Sequence, residues 1–370
     1  LEAGEKKPED WGEIFDSRRS AYVSYTQSLE LLFRQLLEKN EIPYVQIEAR
    51  TKEVSNFVSK LRRKNYGDPL EEVTDFSGIR IVLYYLDDVE RVGEMIAQQF
   101  AVDDENSVDK RALMDPDRFG YLSVHYVVQT SSKRKALPEW SEFADLWAEV
   151  QVRTVLQHAW GAISRKLAYA SIREAPRDLQ RSLNRLSALL ELADEQFLDI
   201  REAREQIEKQ YDREVERGNL DLEIDESSLG VYLREAGYWG KIASMASETG
   251  SPTPDEKRAQ YKEPPWTAEE EEQMLMRHLL SVLDEMGVTR ISELDAKLRD
   301  LLEVAPDFVR EVNEKYADRG DGQPIAAEPL NWLLIILLWS AQTPAEKLEE
   351  LGYVDRLVDL VTSMYGSAPN

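Results

Sequence analysis

Three short segments rich in β-branched and aromatic residues, all between Ile79 and Thr154, confine the strong strand signals to the first half of the chain. They are IRIVLYYL (Ile79 to Leu86), YLSVHYVVQT (Tyr121 to Thr130) and WAEVQVRT (Trp147 to Thr154); such runs read as buried or half-buried strands. The third alternates, placing Ala148, Val150 and Val152 on one side and Glu149, Gln151 and Arg153 on the other. Helical patterns surround these strands. Phe15, Tyr22, Leu29, Leu32, Phe33 and Leu36 recur at helical spacing over residues 11–40. Pro43 breaks that pattern, and a short extended piece, Tyr44 to Ile47, follows. Glu53 to Lys64 reads as a helix, and Asp87 and Asp88 read as caps of another that runs to about Gln99. A polar stretch, Asp103 to Phe119, precedes the second strand. Thr154 to Tyr169 and Ala175 to about Arg217 complete the helices of this half. The order helix, strand, helix, strand, strand, helix predicts an α+β domain: a mixed sheet flanked by helices.

The second half reads as mostly α-helical. Asn219 to Ser228 is acidic and reads as a boundary, giving domains 1–218 and 219–370. Ser247 to Trp266, rich in Pro and polar residues, reads as a linker. Helices are predicted over Ala268 to Met286, Ile291 to Val304, Asp307 to Tyr316, Leu330 to Ser340 and Ala345 to Met364. Trp239, Trp266, Trp332 and Trp339 predict a folded core there. A chain of 370 residues is long enough for two such domains. The longest apolar run, LNWLLIILLW (Leu330 to Trp339), falls short of the roughly 20 residues that span a bilayer and reads as a core helix. With no cysteine and no visible signal peptide, the expectation is a cytoplasmic protein that engages no membrane.

Charge narrows the partners. The chain carries net −25. Residues 1–200 hold 27 Lys and Arg against 35 Asp and Glu, a net −8, and residues 201–370 hold 19 against 36, a net −17. So acidic a chain is a poor general binder of nucleic acid. One segment stands against this trend. RTKEVSNFVSKLRRK (Arg50 to Lys64) sets Arg50, Lys52, Lys60, Arg62, Arg63 and Lys64 against a lone Glu53. Close behind it, DFSGIR (Asp75 to Arg80) brings a carboxylate and another arginine to the edge of a strand. Clustered cations facing a carboxylate suit a polyphosphate with a divalent metal: the cations neutralise phosphate oxygens and the carboxylate holds the metal.

Four motifs in order give this region a family likeness: Arg50-x-Lys52 with Lys60 eight residues on; Asp75-x-x-Gly78-x-Arg80; Gly120-Tyr121-x-Ser123-x-His125; and Glu149-x-Gln151-x-Arg153-Thr154. Together, over roughly Ile47 to Tyr169, they resemble the synthetase domain of the RelA/SpoT alarmone family. The resemblance implies a nucleotidyltransferase-like domain that moves pyrophosphate from ATP to the 3′-hydroxyl of GDP or GTP, with Mg²⁺ as cofactor. It implies Asp75 and Glu149 as the metal-binding and catalytic acidic pair. Arg50, Lys52, Asn56, Lys60 and Arg80 are implied as the ATP site, with Arg50 and Arg80 flanking the adenine and Asn56 standing where relatives usually have Ser. Tyr121, His125, Gln151 and Arg153 are implied as the acceptor site. The family's hydrolase motifs are absent, and only His125, His158 and His278 occur in the chain. An alternative keeps the donor site and takes the 3′ end of tRNA as acceptor, to which the Lys133-Arg134-Lys135 run lends support. A second alternative is a catalytically silent nucleotide sensor. For residues 219–370 the expectation is a regulatory or interaction domain that restrains the synthetase domain, receives a protein trigger, or forms a homo-oligomer.

Overall fold

The computed structural model describes residues 7–109, 123–167, 176–253, 267–318, 328–350 and 355–365. It divides into two compact units, Leu1–Arg201 and Glu202–Asn370. In the first unit, helix α1 (Pro8–Lys39) leads through strand β1 (Tyr44–Thr51) to α2 (Val54–Leu61), the short α3 (Pro69–Glu72), β2 (Ser77–Leu83) and α4 (Leu86–Gln99). Then come β3 (Phe100–Asp109), β4 (Val124–Thr130), the single turns α5 (Ser132–Lys135) and α6 (Pro138–Ser141), β5 (Ala148–Thr154), α7 (Val155–Lys166) and α8 (Arg177–Glu216). The five strands form one mixed sheet in the order β1-β2-β5-β4-β3, with β2 and β5 parallel and the other pairs antiparallel.

Alternation divides the two faces of this sheet. Ile47, Ile79, Ile81, Leu83, Ala148, Val150, Val152, Val124 and Val128 point one way and form a core with Tyr25, Leu29, Phe33 and Leu37 of α1 and Val89, Val92 and Ile96 of α4. Phe33 and Phe100 stack in that core with centroids 5.1 Å apart. The opposite face carries Glu48, Arg80, Glu149, Gln151 and His125, matched across the strands by register. A one-residue slip in any strand would exchange the two sets, so burial of the first face fixes the position of the second.

Several expectations change. The polar stretch that starts at Asp103 opens inside an edge strand not expected from the sequence, β3 (Phe100–Asp109); only the start of β3 is buried, and its polar outer half suits an edge that meets solvent. The extended piece after Pro43 continues to Thr51, so Arg50 lies on a strand. Asp87 and Asp88 sit inside the first turn of α4, whose N-cap is Tyr85. Asp88 is fully buried, its Oδ1 accepting from Arg91 at 2.7 Å and its Oδ2 from Arg201 of α8 at 3.4 Å. Arg201 also pairs with Asp87 and lies 4.5 Å from the Tyr85 ring centre, tying α8 to the start of α4. Further along α8, Asp194 is buried and accepts a 2.6 Å hydrogen bond from Thr154 Oγ1; burial pushes its carboxyl up to about 7.

The second unit continues with α9 (Glu226–Glu235), α10 (Tyr238–Glu248), α11 (Ala268–Glu285), α12 (Ile291–Asp318), α13 (Pro329–Ser340), α14 (Ala345–Glu350) and α15 (Asp355–Ser363). Nearly every residue of α13 from Leu330 to Trp339 is buried, as a core helix requires, and Trp339 stacks on Phe308 at 4.2 Å. Among the described residues no helix is long and apolar enough to cross a membrane. The division between units falls inside α8. The acidic segment after Asn219 is part of the second fold: Leu220, Leu222 and Ile224 alternate with acidic residues and pack on its core, and backbone bonds join them to residues 289–292. The segment read as a linker begins as the end of α10, and Ser251 is buried with its hydroxyl 3.0 Å from Asn313 Nδ2; residues 254–266, Trp266 among them, lie outside the described residues. The two helices expected on either side of Pro306 are one, α12. Proline normally breaks a helix interior, but Ala305, Phe308, Val309 and Val312 are all buried around it. Of the single helix expected over Ala345 to Met364, the described parts are α14 and α15; residues 351–354 lie outside the described residues.

Candidate active site

The site begins as a continuation of the β1–β2 ladder. Thr51 pairs with Ser77, and one residue further on the Lys52 amide donates to the Phe76 carbonyl at 2.8 Å. This brings Lys52 and Asp75 together at the end of the sheet. Arg19 of α1 braces the turn, its Nε donating to the Lys52 carbonyl at 3.3 Å and its Nη2 pairing with Glu53 at 2.7 Å. Helix α2 then starts at Val54 and splits its faces at helical spacing. Phe57 and Leu61 are buried, while Asn56, Ser59 and Lys60, with Arg63 just past the helix end, line a cleft.

An aromatic cluster sets the depth of that helix. Phe76 stacks on Phe15 with centroids 4.5 Å apart, meets Phe57 edge-on at 5.1 Å and lies 5.0 Å from Tyr22. Gly12 lets α1 and α2 close: a Cβ there would stand 2.7 Å from Val58 Cγ2.

The resulting cleft encloses about 890 Å³, the size of sites that hold nucleotide-scale ligands. It brings together Arg50, Lys52, Asn56, Lys60, Asp75, Gly78, Arg80, Glu149 and Gln151, and adds Glu48, Ser59, Arg63 and Lys64. Gly78 sits within β2, opposite Arg50 on one side and Glu149 on the other, rather than in a tight turn. His125 and Arg153 join through hydrogen bonds. His125 Nδ1 is 2.7 Å from Glu149 Oε1, which fixes that nitrogen as the donor to an ionised carboxylate, and its Nε2 is 2.7 Å from Ser123 Oγ. Gln151 Nε2 donates to Glu149 Oε2 at 3.1 Å, and Arg153 donates to Gln151 Oε1 at 2.5 Å. Tyr121 lies outside the described residues. Sequence reasoning missed Glu48 and Ser59. Ser59 lies three residues beyond Asn56, one turn along the same helix, and was legible from that spacing; Glu48 lay just ahead of the first motif with no signal of its own.

Two carboxylates anchor the electrostatics. Lys52 pairs with Asp75 Oδ2, and Lys60 Nζ is 2.9 Å from its Oδ1. Burial pushes the Asp75 carboxyl up, but hydrogen bonds and charge from Lys52 and Lys60 outweigh it and hold the group below the usual carboxylate range. Burial likewise pushes Glu149 up, as does the charge of Asp75. Hydrogen bonds from His125 and Gln151 and the His125 charge win, and Glu149 too is held low. Both groups are therefore ionised at neutral pH. The sign of the pH effect follows. The stability that Asp75 contributes is fully present above its unfolded value of about 3.8 and is lost as pH falls through its lower folded value. The stability difference between wild type and Asp75→Asn, measured by urea unfolding, is expected to be constant from pH 7 to pH 5 and to shrink below pH 3.8. A difference that grows towards acid would contradict the assignment.

Residues 49–174 match the family model described as the region found in RelA / SpoT proteins. Over 195 residues the chain is 30% identical to the GTP pyrophosphokinase YjbM of Bacillus subtilis (strain 168), an alignment that covers 48% of this chain and 86% of YjbM. It is 24% identical over 164 residues to the GTP pyrophosphokinase YwaC of the same organism, covering 43% of this chain and 74% of YwaC. Among solved structures, the small alarmone synthetase 1 from Bacillus subtilis is 25% identical and covers 52% of this chain and 99% of its own, with a TM-score of 0.44. The family match stops at residue 174, ahead of the second unit. Identity at nearly a third of positions across most of YjbM places the chain, through its first unit, in the RelA/SpoT family.

Proposed function

We propose that this protein is a Mg²⁺-dependent pyrophosphokinase that transfers pyrophosphate from ATP to the 3′-hydroxyl of GDP or GTP. The observation that carries the reading is the placement of two ionised carboxylates, Asp75 and Glu149, in one cleft with Arg50, Lys52, Lys60, Arg63 and Lys64. The names of YjbM and YwaC support the same reaction class.

The chemistry follows from the groups present. The 3′-oxygen attacks the β-phosphorus of ATP, the bond from that phosphorus to the α,β-bridging oxygen breaks, and AMP leaves. The proton of the hydroxyl passes to the Glu149 carboxylate, which His125 and Gln151 hold in place. Lys52 and Lys60 exchange their pairing with Asp75 for the phosphate oxygens. Hard oxygen donors fit magnesium, which takes one or two carboxylates together with substrate phosphates, so Asp75 and Glu149 suffice as its protein ligands. When bound, Mg²⁺ neutralises charge on the transferring phosphates. Arg50 and Arg80, on neighbouring strands of the same face, serve the adenine, and His125, Gln151 and Arg153 serve the acceptor.

For tRNA as acceptor, the Lys133–Lys135 run offers little. Arg134 donates to Gln99 at 3.1 Å and lies over the Trp140 ring, and Lys135 donates to Gln129 at 3.1 Å, so both cations are tied into the fold. Incubation with Mg²⁺, ATP labelled in its terminal phosphates and either GDP, GTP or bulk tRNA is expected to move the label to the guanosine nucleotide. Label on tRNA alone overturns the acceptor, and no transfer to any of the three overturns the reaction.

A further inference from the structure

We infer that Glu48 is a positioning residue that sets Arg80 apart from the phosphate-binding cations and holds it for the base of ATP; the inference rests on the reading of Arg80 as an ATP contact. Glu48, Arg80, Gln151 and His125 stand in one transverse row across β1, β2, β5 and β4, all on the cleft face. Arg80 Nη1 pairs with Glu48 Oε2, and its Nε is 3.5 Å from Gln151 Oε1. Glu48 is itself held from the other side, its Oε1 accepting from Gln46 Nε2 at 2.9 Å.

The N–H groups of a guanidinium lie in its plane. Bonds made within that plane leave the two flat faces open for stacking on a ring. Glu48 also offsets the charge of Arg80. Phosphate oxygens therefore draw on Lys52, Lys60, Arg63 and Lys64, while Arg80 is kept as a flat, charge-compensated surface. Without Glu48, Arg80 retains among the described residues its long contact to Gln151, whose oxygen already accepts from Arg153 at 2.5 Å. A long side chain so released loses rotamer freedom each time it binds.

The test is a titration of the full chain with a non-hydrolysable ATP analogue, comparing wild type, Glu48→Ala, Glu48→Gln, Arg80→Ala and the double variant Glu48→Ala/Arg80→Ala. The Glu48 side chain is 42% exposed, so the variants are expected to melt like the wild type. Glu48→Ala is expected to weaken analogue binding roughly 3- to 10-fold. Glu48→Gln, which keeps an acceptor oxygen, is expected to recover part of that loss. The double variant is expected to bind no more weakly than Arg80→Ala, because Glu48 acts through Arg80. In turnover, Glu48→Ala raises KM for ATP and leaves kcat near wild type. Wild-type affinity in Glu48→Ala, or losses that multiply in the double variant, overturns the proposal. If Arg80→Ala itself binds the analogue like wild type, the reading of the ATP site fails and the proposal fails with it.

Discussion

Asp75→Asn and Glu149→Gln are each expected to lower pyrophosphate transfer by on the order of 10²-fold or more, with the fold retained. Each change removes one formal charge and one anionic oxygen from a cleft whose other charged lining groups are mostly cationic. The amide introduced by Asp75→Asn keeps a carbonyl acceptor for one lysine, and that introduced by Glu149→Gln keeps one for the imidazole, so the local hydrogen bonds survive in part. The two losses differ in kind. Asp75 lies among the lysines, and its loss should weaken metal-dependent binding of the ATP analogue. Glu149 lies against His125, and its loss should leave analogue binding closer to wild type while abolishing the chemical step. Initial rates with saturating GTP, alongside circular dichroism and a thermal melt, measure both. Full activity in either variant removes that residue from the mechanism.

Phe76→Ala is expected to have the largest effect on stability among single changes near the cleft. Phe76 is 1% exposed and touches Phe15, Tyr22 and Phe57, so its removal joins three aromatic rings to one cavity. Truncations of this kind cost about 3–5 kcal/mol, a large share of a total stability of about 5–15 kcal/mol. Phe76→Leu, which conserves more volume, is expected to cost less than half as much. The change acts on the first unit's core, which is separate from the core of the second. Hydrogen exchange at the amides of α2 and β2 reads it directly: exchange there should accelerate while that of α13 stays as in the wild type. The cleft should suffer with the core, since the Phe76 carbonyl holds the Lys52 amide. Unchanged exchange in α2 would show that the cluster does not seat the helix.

What the sequence disclosed, and what it hid, follows from which physics was local. The β-branched runs of β2, β4 and β5 and the helical repeat of α1 are patterns within single elements and appeared close to where they were read, although β2 ends at Leu83 and Leu86, read as its last residue, opens α4. The cleft was legible because Arg50, Lys52 and Lys60 crowd one short segment and Asp75 lies just ahead of the next strand. Strand β3 was hidden because an edge strand has one side to bury and needs few apolar residues, and FAVDDENSVD supplies three at its start and then Val108 alone. Glu48 was hidden for a different reason. Its partner Arg80 is 32 residues away, and only the antiparallel register of β1 and β2 makes them neighbours. Pro306 misled because a local rule against proline gave way to the burial of Ala305, Phe308 and Val309. Residues 220–224 misled because their acidic members conceal an alternating apolar set.

The two-faced sheet has a consequence for how this protein tolerates change. In β2 and β5 the residues that make the cleft, Gly78, Arg80, Glu149 and Gln151, interleave one for one with residues that make the core, Ile79, Ile81, Ala148, Val150 and Val152. Specificity and foldability are thus written on alternate letters of the same words. A saturation library over 78–81 and 148–152 should split by parity: abundance should collapse at the core letters, and only the reaction should change at the letters between them. Drift at the second set can retune the nucleotides the cleft accepts without first having to rebuild the sheet that carries them.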